Sequence, residues 1–344
     1  MLSVVVMSGH IKRQTSNIKR SLYILTGAAG FIGSALVAHL NERGVTNLIL
    51  VDDFQNAPAK IANLEGKQYV RTVERSQLFE VWDHEAWALS GVYHLGARTD
   101  TTETDTELFD RLNLNYSREV WKRCADQGIP LVYASSAATY GLGEHGYRDE
   151  DELARKLEPL NAYGRSKNDF DKWVLEQSAA PPHYYGLKFF NVYGPNEYHK
   201  GRMASVVWHT FRQVRQTGAM KLFRSHRPGI ADGHQSRDFI YVRDLVDVCH
   251  WLMDHRPSPN GLYNLGTGTA RTFHDLAHAT FAAMGREPDI SFIDTPADIR
   301  DKYQYFTEAE MKKLRDAGYD RPFTSLEDGI GDYVRTFLAH ERYW

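Results

Sequence analysis

Three glycines, Gly27, Gly30 and Gly33, stand at the junction of the apolar run Leu22–Thr26 and a segment in which Ile32, Leu36, Val37 and Leu40 recur at helical spacing. A buried strand that turns on glycines straight into a helix is tightly constrained. The turn takes backbone angles that other residues resist, and the helix must lie close on the strand. The spacing is G-x-x-G-x-x-G, one residue wider than the G-x-G-x-x-G fingerprint, but the physical demands are the same. Free N–H groups and the positive end of the helix dipole suit a pyrophosphate there. Alone, such a turn could be a simple tight connection; between strand and helix it predicts a dinucleotide site.

The apolar runs Asn47–Val51, Gly91–Ala97 and Ile129–Ala134 predict further strands, and Leu108, Leu112, Val120 and Trp121 predict a helix within Glu107–Gln127. Strands alternating with helices imply right-handed crossovers, so the expected class is α/β, a doubly wound parallel Rossmann sheet with a smaller C-terminal substrate-binding lobe. Past about residue 190 the alternation loosens. Gly194-Pro195 and Arg224–Ser236 read as turn and loop, Leu262–Gly266 as a strand, Phe273–Met284 as a helix and Leu326–Leu338 as an amphipathic segment. The division expected is 21–190 for the dinucleotide-binding domain and 191–344 mainly for the substrate lobe, some segments returning to the first. In residues 1–20 the apolar stretch Leu2–Met7 precedes Lys12, Arg13, Lys19 and Arg20, the reverse of a secretory signal, and a disordered extension is expected.

Composition narrows the partners. The 344 residues carry 41 Lys and Arg against 44 Asp and Glu, a net charge of -3, with no broad positive field for nucleic acid. Uninterrupted apolar stretches fall well short of the roughly 18 residues a membrane crossing needs. Cys124 and Cys249 lie far apart and lack neighbours at metal-ligand spacing, so no disulfide and no metal site are expected, and the reducing cytoplasm is the expected compartment.

Asp52 and Asp53 end the second predicted strand about 20 residues past the turn, where a carboxylate can accept from an adenosine ribose. That favours NAD, whereas Lys60 could pair with a 2'-phosphate and favour NADP; the pair could also be turn-forming, and the choice of cofactor stays open. Tyr163 and Lys167 stand four apart at the start of a predicted helix and so share a face. An ammonium close to a phenol favours the phenolate, which predicts a lowered Tyr163 pKa and a proton-exchanging phenol, with Lys167 also able to hold the nicotinamide ribose. Ser136, just after the strand Ile129–Ala134, lies at the carboxyl edge where open parallel sheets bind ligands, and could orient a substrate oxygen or cap a turn.

Strand-end serine, helical tyrosine and lysine, and glycine turn, in this order, resemble the extended short-chain dehydrogenase/reductase superfamily, and nucleotide-sugar epimerases in particular. Within it the resemblance is to the ADP-glycero-manno-heptose 6-epimerases. It is carried by residues 26–33 (TGAAGFIG), 133–141 (YASSAATYG), 189–195 (FFNVYGP), 199–206 (HKGRMASV), 237–239 (RDF), 303–307 (YQYFT) and 317–323 (AGYDRPF). The superfamily is identified by the glycine turn and the Tyr/Lys pair, the heptose branch by the His-Lys-Gly segment and the C-terminal runs.

The resemblance implies tightly bound NADP or NAD, an ADP-heptose substrate and transient oxidation at C6 with hydride return to the other face, in a homo-oligomer. It implies Tyr163 and Lys200 as the two proton-exchanging groups, Ser136 orienting the sugar and Lys167 the cofactor. It further places Phe31, Ile32, Leu95, Gly96, Ala97, Asn113 and Val192 near the cofactor. Asn191, Arg202, His209 and Phe223 fall near the sugar nucleotide, and Arg237 and Tyr303 near its diphosphate. Read without the family, Lys200 is a solvated loop charge, His209 a core-edge histidine and Arg237 a surface partner of Asp238. Arg237 has independent appeal, since a guanidinium grips phosphate oxygens bidentately.

Some positions depart from the family. Arg202 stands where a serine is usual, Arg224-Ser-His226 where an acidic residue and glycine are usual, and Leu95 where an acidic residue is common; the segments 143–159 and 226–236 are longer. These surround the expected sugar pocket, so a 4-epimerase acting on another nucleotide sugar stays open as the alternative. Dehydration is disfavoured, because Ala137 and Ala138 follow Ser136 where an Asp-Glu pair is typical. A cofactor-binding protein without chemistry is disfavoured by the presence of both Tyr163 and Lys167.

Overall fold

The computed structural model describes residues 21–85, 87–300 and 303–344; the extension expected over 1–20 lies outside them. Twelve strands form among the described residues: β1 (Leu22–Thr26), β2 (Leu48–Asp52), β3 (Arg71–Glu74), β4 (Leu89–His94), β5 (Leu131–Ser136), β6 (Tyr184–Phe189), β7 (Asn191–Tyr193), β8 (Met220–Phe223), β9 (Ser236–Tyr241), β10 (Gly261–Leu265), β11 (Ala270–Thr272) and β12 (Ile290–Ile293). The main helices are α1 (Phe31–Glu42), α2 (Leu78–Glu85), α3 (Thr106–Phe109), α4 (Tyr116–Gln127), α5 (Ala162–Leu175), α6 (Val206–Thr217), α7 (Val242–His255) and α8 (Phe273–Ala283).

Seven strands make one sheet in the order β10-β6-β5-β4-β1-β2-β3, parallel at every pairing. Continuous apolar runs form these strands because both faces are covered. In β1 and β2, Leu25, Leu48 and Leu50 enter one core with Leu36 and Leu40 of α1 and Leu245 and Leu252 of α7. The alternate residues Ile24, Ile49 and Val51 enter a second core with Trp82 of α2, Trp121 of α4 and Phe170 and Val174 of α5. The strand order reverses between β1 and β4, and a crevice opens there at the carboxyl edge. This is the doubly wound Rossmann sheet the sequence predicts.

Two smaller sheets stand beyond that edge: β12-β8 packs with α6 and α8 around a core of Val214, Met220, Leu222, Ala277 and Phe281, while β11-β9-β7 sends Tyr193, Phe239 and Tyr241 into the first core. Among the strand ends that differ from expectation, two bear on the site. The strand read over Gly91–Ala97 stops at His94, freeing Leu95, Gly96 and Ala97 from the sheet. The strand read over Ile129–Ala134 runs Leu131–Ser136, so Ser136 is its last residue rather than the first beyond it. The predicted helix Glu107–Gln127 is α3 and α4 joined by a π-helical stretch, Asp110–Asn115.

Candidate active site

Two connected cavities open at the carboxyl edge. The first is a groove over the glycine turn, lined by Gly27, Gly30, Phe31, Ile32, Gly33, Asp52, Lys60, Leu95, Gly96, Ala97 and Lys200, together with Val51, Arg75, Thr99, Leu112, Tyr116 and His199. Gly27 has φ +70°, and a Cβ there would stand 2.7 Å from Gly96 Cα; a Cβ on Gly33 would stand 2.0 Å from the Gly27 carbonyl. The glycines therefore leave bare backbone where a ligand can approach closely. At the end of β2 the buried Asp52 carboxylate accepts from Ala29 N (2.9 Å) and Asp53 N (2.8 Å) and pairs with Lys60 Nζ at 3.3 Å. Bare glycine backbone, a helix start and a strand-end carboxylate fit a dinucleotide.

The second cavity, about 860 Å³, is within the size range of small-molecule sites and shares Phe31, Ile32, Thr99 and Lys200 with the first. Ser136, Tyr163, Asn191, Val192, His209, Phe223, Arg237 and Tyr303 all line it. The Asn161 side chain caps α5 by accepting from Gly164 N at 2.7 Å. Gly164 lets the helix press on the turn after β5, since a Cβ there would meet the Ala138 carbonyl at 2.8 Å. Tyr163 is thereby brought beside Ser136, whose Oγ accepts from Ala138 N at 3.1 Å. Ser136 is both a cap and a wall of the cavity.

The electrostatics of this pair correct one expectation. Burial pushes the Tyr163 phenol above its ordinary range, against the pull of the Ser136 hydroxyl. The Asp171 carboxylate adds to the rise, and Lys167 does not offset it. The Lys167 ammonium is itself buried behind the cavity wall and donates to the Ala134 carbonyl at 2.7 Å, and burial takes its pKa down to about 8, opposed by the Asp171 carboxylate. Asp171 is fully buried and accepts from Lys188 (2.7 Å), Ser135 (2.6 Å) and Tyr133 (3.2 Å), a paired network directly under the site.

Lys200 is half-buried rather than solvated, its Nζ 5.3 Å from the Phe31 ring centroid. Burial lowers its pKa, with the Glu197 carboxylate pulling the other way. Glu197 is buried and holds the start of α6 by accepting from Ser205 N (2.5 Å) and Ser205 Oγ (2.6 Å). Arg237 is buried, donates to the Ser236 carbonyl at 2.9 Å and to the Gln304 carbonyl, and lies 5.3 Å from the Tyr303 ring centroid. Its expected alternative pairing with Asp238 does not form. Asp238 instead accepts from Thr267 N, Gly268 N and Ala309 N. His209 combines both readings: it faces the cavity, and its Nε2 stands 3.3 Å from the Arg202 carbonyl.

Besides Lys167, three expected ligand residues stand off both cavities. Asp53 is tied to Arg75 at 3.0 Å. Asn113 is buried and braces the 98 loop, accepting from Arg98 N (2.8 Å) and donating to the Arg98 carbonyl (3.0 Å) and Ser166 Oγ (2.9 Å). Arg202 turns to solvent and pairs with Asp100 at 3.2 Å. Sequence reasoning missed Arg75, Tyr116 and His199 in the groove. Arg75 reaches the groove because β3 registers Glu74 beside Asp52 and the residue after it comes to the same edge, a placement with no signal in the sequence.

Residues 23–266, which supply the glycine-cradled groove and the Ser136 and Tyr163 wall of the cleft, match the NAD dependent epimerase/dehydratase family. The chain belongs to that family. As an epimerase-family member it is 49% identical over 320 residues, 92% of this chain and 98% of the relative, to ADP-L-glycero-D-manno-heptose-6-epimerase of Nitratidesulfovibrio vulgaris. Its fold is similar to a crystal structure of Helicobacter pylori ADP-L-glycero-D-manno-heptose-6-epimerase, with TM-score 0.77 and 26% identity over 93% of this chain and 97% of that one. It is also similar to Thermus thermophilus UDP-glucose 4-epimerase solved in complex with NAD, with TM-score 0.74 and 25% identity over 92% and 99%. The family resembled by the sequence motifs is the one these comparisons return, and NAD(P) is the family's cofactor.

Proposed function

We propose that this epimerase inverts C6 of ADP-D-glycero-D-manno-heptose to give ADP-L-glycero-D-manno-heptose. The observation that carries the reading is the junction of the two cavities, where Phe31, Ile32 and Lys200 border both while Ser136 and Tyr163 line the larger. An alcohol carbon without an acidic hydrogen offers no stabilised carbanion, so its inversion needs oxidation and reduction. Bound NAD or NADP supplies hydride acceptance and return.

The chain's own residues supply the rest. Gly27, Gly30 and Gly33 present backbone to the pyrophosphate, and Asp52, Lys60 and Arg75 surround the adenosine ribose. Tyr163 exchanges the C6 hydroxyl proton on one face: its phenolate would accept that proton as the carbon gives up hydride, a form that burial alone disfavours and that the positive charge of bound oxidised cofactor would favour. Lys200 exchanges the proton on the other face, burial making its ammonium a better acid than an exposed lysine. Ser136 orients the oxygen, and Lys167, from behind the wall, adds positive charge near the phenol. Arg237 and Tyr303 receive the diphosphate, and Phe223, Asn191 and His209 the remaining surfaces.

We place the reaction in the reducing cytoplasm, in keeping with Cys124 and Cys249, both buried and free. The division near residue 190 and assembly as a homo-oligomer belong to the same proposal, the latter read by sedimentation. Incubation with ADP-, UDP- and GDP-sugars tests the substrate. The proposal expects inversion of ADP-D-glycero-D-manno-heptose alone, and turnover of UDP-galactose with ADP-heptose untouched contradicts it in favour of a 4-epimerase.

A further inference from the structure

The chain reaches Lys200 through Asn196, Glu197, Tyr198 and His199, and residues 342–344 grip this segment at two points. Asn196 is fully buried with φ +76°. Both ends of its side-chain amide pair with the backbone of one residue: Trp344 N donates to Oδ1 at 2.8 Å, and Nδ2 donates to the Trp344 carbonyl at 3.2 Å. Nδ2 also donates to Ser34 Oγ in α1 at 3.0 Å. Tyr198 donates its hydroxyl to the Arg342 carbonyl at 2.7 Å, and its ring meets Tyr343 edge-on with centroids 5.1 Å apart.

Trp344 is in turn fixed from the Rossmann side. Its indole N–H donates to Glu42 Oε1 at 2.6 Å, its carbonyl accepts from the Lys67 ammonium, and the Arg243 guanidinium lies 4.5 Å from its ring centroid. The same loop is tied to the glycine turn through Asn63, whose Nδ2 donates to the Ala29 carbonyl at 2.8 Å and the Asn196 carbonyl at 3.1 Å and stands 3.2 Å from His199 Nδ1. Residues 342–344 lie outside the span that matches the family.

We infer that residues 342–344 are a positioning clamp for Lys200, setting the 196–200 loop against the glycine turn so that the amine stays at the junction of the two cavities. A loop-borne acid is only as well placed as its supports, and a shift of roughly 1 Å can cost on the order of 10²-fold in rate. The inference rests on the proposed proton-exchanging role of Lys200.

The test compares Trp344→Ala, Trp344→Phe, Tyr198→Phe and Lys200→Met in the full chain with its cofactor, reading kcat, KM, the pH–rate profile and, by mass spectrometry, acetylation of Lys200 by a water-soluble N-hydroxysuccinimide ester. Trp344→Ala is expected to lower kcat by about 10-fold or more with KM little changed. It is also expected to move the alkaline limb to higher pH, as Lys200 gains water, and to speed labelling of Lys200. Tyr198→Phe, which removes one grip, gives a smaller change of the same kind, and Trp344→Phe, which keeps a ring over Arg243, restores most of kcat. Wild-type kcat and labelling in Trp344→Ala overturn the clamp, as does a fall in kcat with labelling and alkaline limb unmoved. Full turnover in Lys200→Met overturns the acid role itself, so the two failures are told apart.

Discussion

Lys200 Nζ stands 5.3 Å from the centroid of the Phe31 ring, and both residues border both cavities. Phe31 opens α1 immediately after the glycine turn. The strand-turn-helix unit that fits a dinucleotide thus also forms the wall against which the lysine proposed to exchange a proton rests. The cofactor groove and the proposed second acid are therefore linked through one residue.

Gly33→Ala should remove the bound cofactor. The added Cβ would lie 2.0 Å from the Gly27 carbonyl, so the turn must open. The expected protein is folded, because overpacking of this kind costs about 1–3 kcal/mol, but it carries no dinucleotide. Absorbance and mass spectrometry of cofactor released from purified protein check this; wild-type content contradicts the assigned groove.

Tyr163→Phe should keep the cofactor and lose turnover by roughly 10² to 10⁴-fold, the usual worth of a positioned acid or base. The ring and its packing are kept, so only the proton is missing. Comparing released cofactor with kcat separates the two effects, and unchanged kcat removes Tyr163 from the mechanism.

Arg237→Lys should raise KM for the sugar nucleotide by about 10-fold or more while kcat changes little, since a charged hydrogen bond is worth roughly 1.5–3 kcal/mol and an ammonium lacks the planar fork. Arg237 is buried against Tyr303, Phe273 and the Gln304 carbonyl, so the lysine cannot regain the geometry by swinging outward. A fall confined to kcat would place Arg237 at the reacting carbon instead of the diphosphate.

Stability should fall as the solution is acidified from pH 6.5. Burial holds His94 neutral down to about 3, its ring nitrogens 2.7 Å from Thr26 Oγ1 and 2.9 Å from Ser117 Oγ. The unfolded chain takes up that proton near its ordinary value of 6.5. Because the folded pKa is the lower, the contribution is complete above 6.5 and shrinks by about 1.4 kcal/mol per pH unit below it, down to about 3. His39, also lowered to about 3 by burial, adds a slope of the same sign. Urea midpoints at pH 7 and pH 5 read the effect. His94→Gln should be less stable than wild type at pH 7 and lose one proton's worth of slope, and equal slopes in both proteins contradict the assignment.

The main sheet was legible where strands are buried on both faces, because Leu22–Thr26 and Asn47–Val51 admit little but apolar residues. β3 was not, since Arg71–Glu74 is a short edge strand with charge facing water, and β6 was masked by Lys188, whose charge is neutralised inside the protein by Asp171. The glycine turn, Ser136 and Tyr163 were legible as cavity-lining positions because their spacing places them at the carboxyl edge. Asp53, Asn113 and Arg202 were misplaced because the direction of a side chain at a strand end or in a loop depends on partners distant in sequence: Arg75, Arg98 and Asp100. The phenol's pKa was misjudged for a related reason, since spacing shows that a lysine is near but not how dry the site is.

The central claim is that one carbon loses and regains its own hydrogen. ADP-D-glycero-D-manno-heptose deuterated at C6, incubated with the protein in ordinary water and followed by NMR, tests it directly. The account predicts inversion at C6 with the deuterium retained on that carbon. Inversion with solvent hydrogen at C6, or no inversion in protein that carries its cofactor, would contradict it.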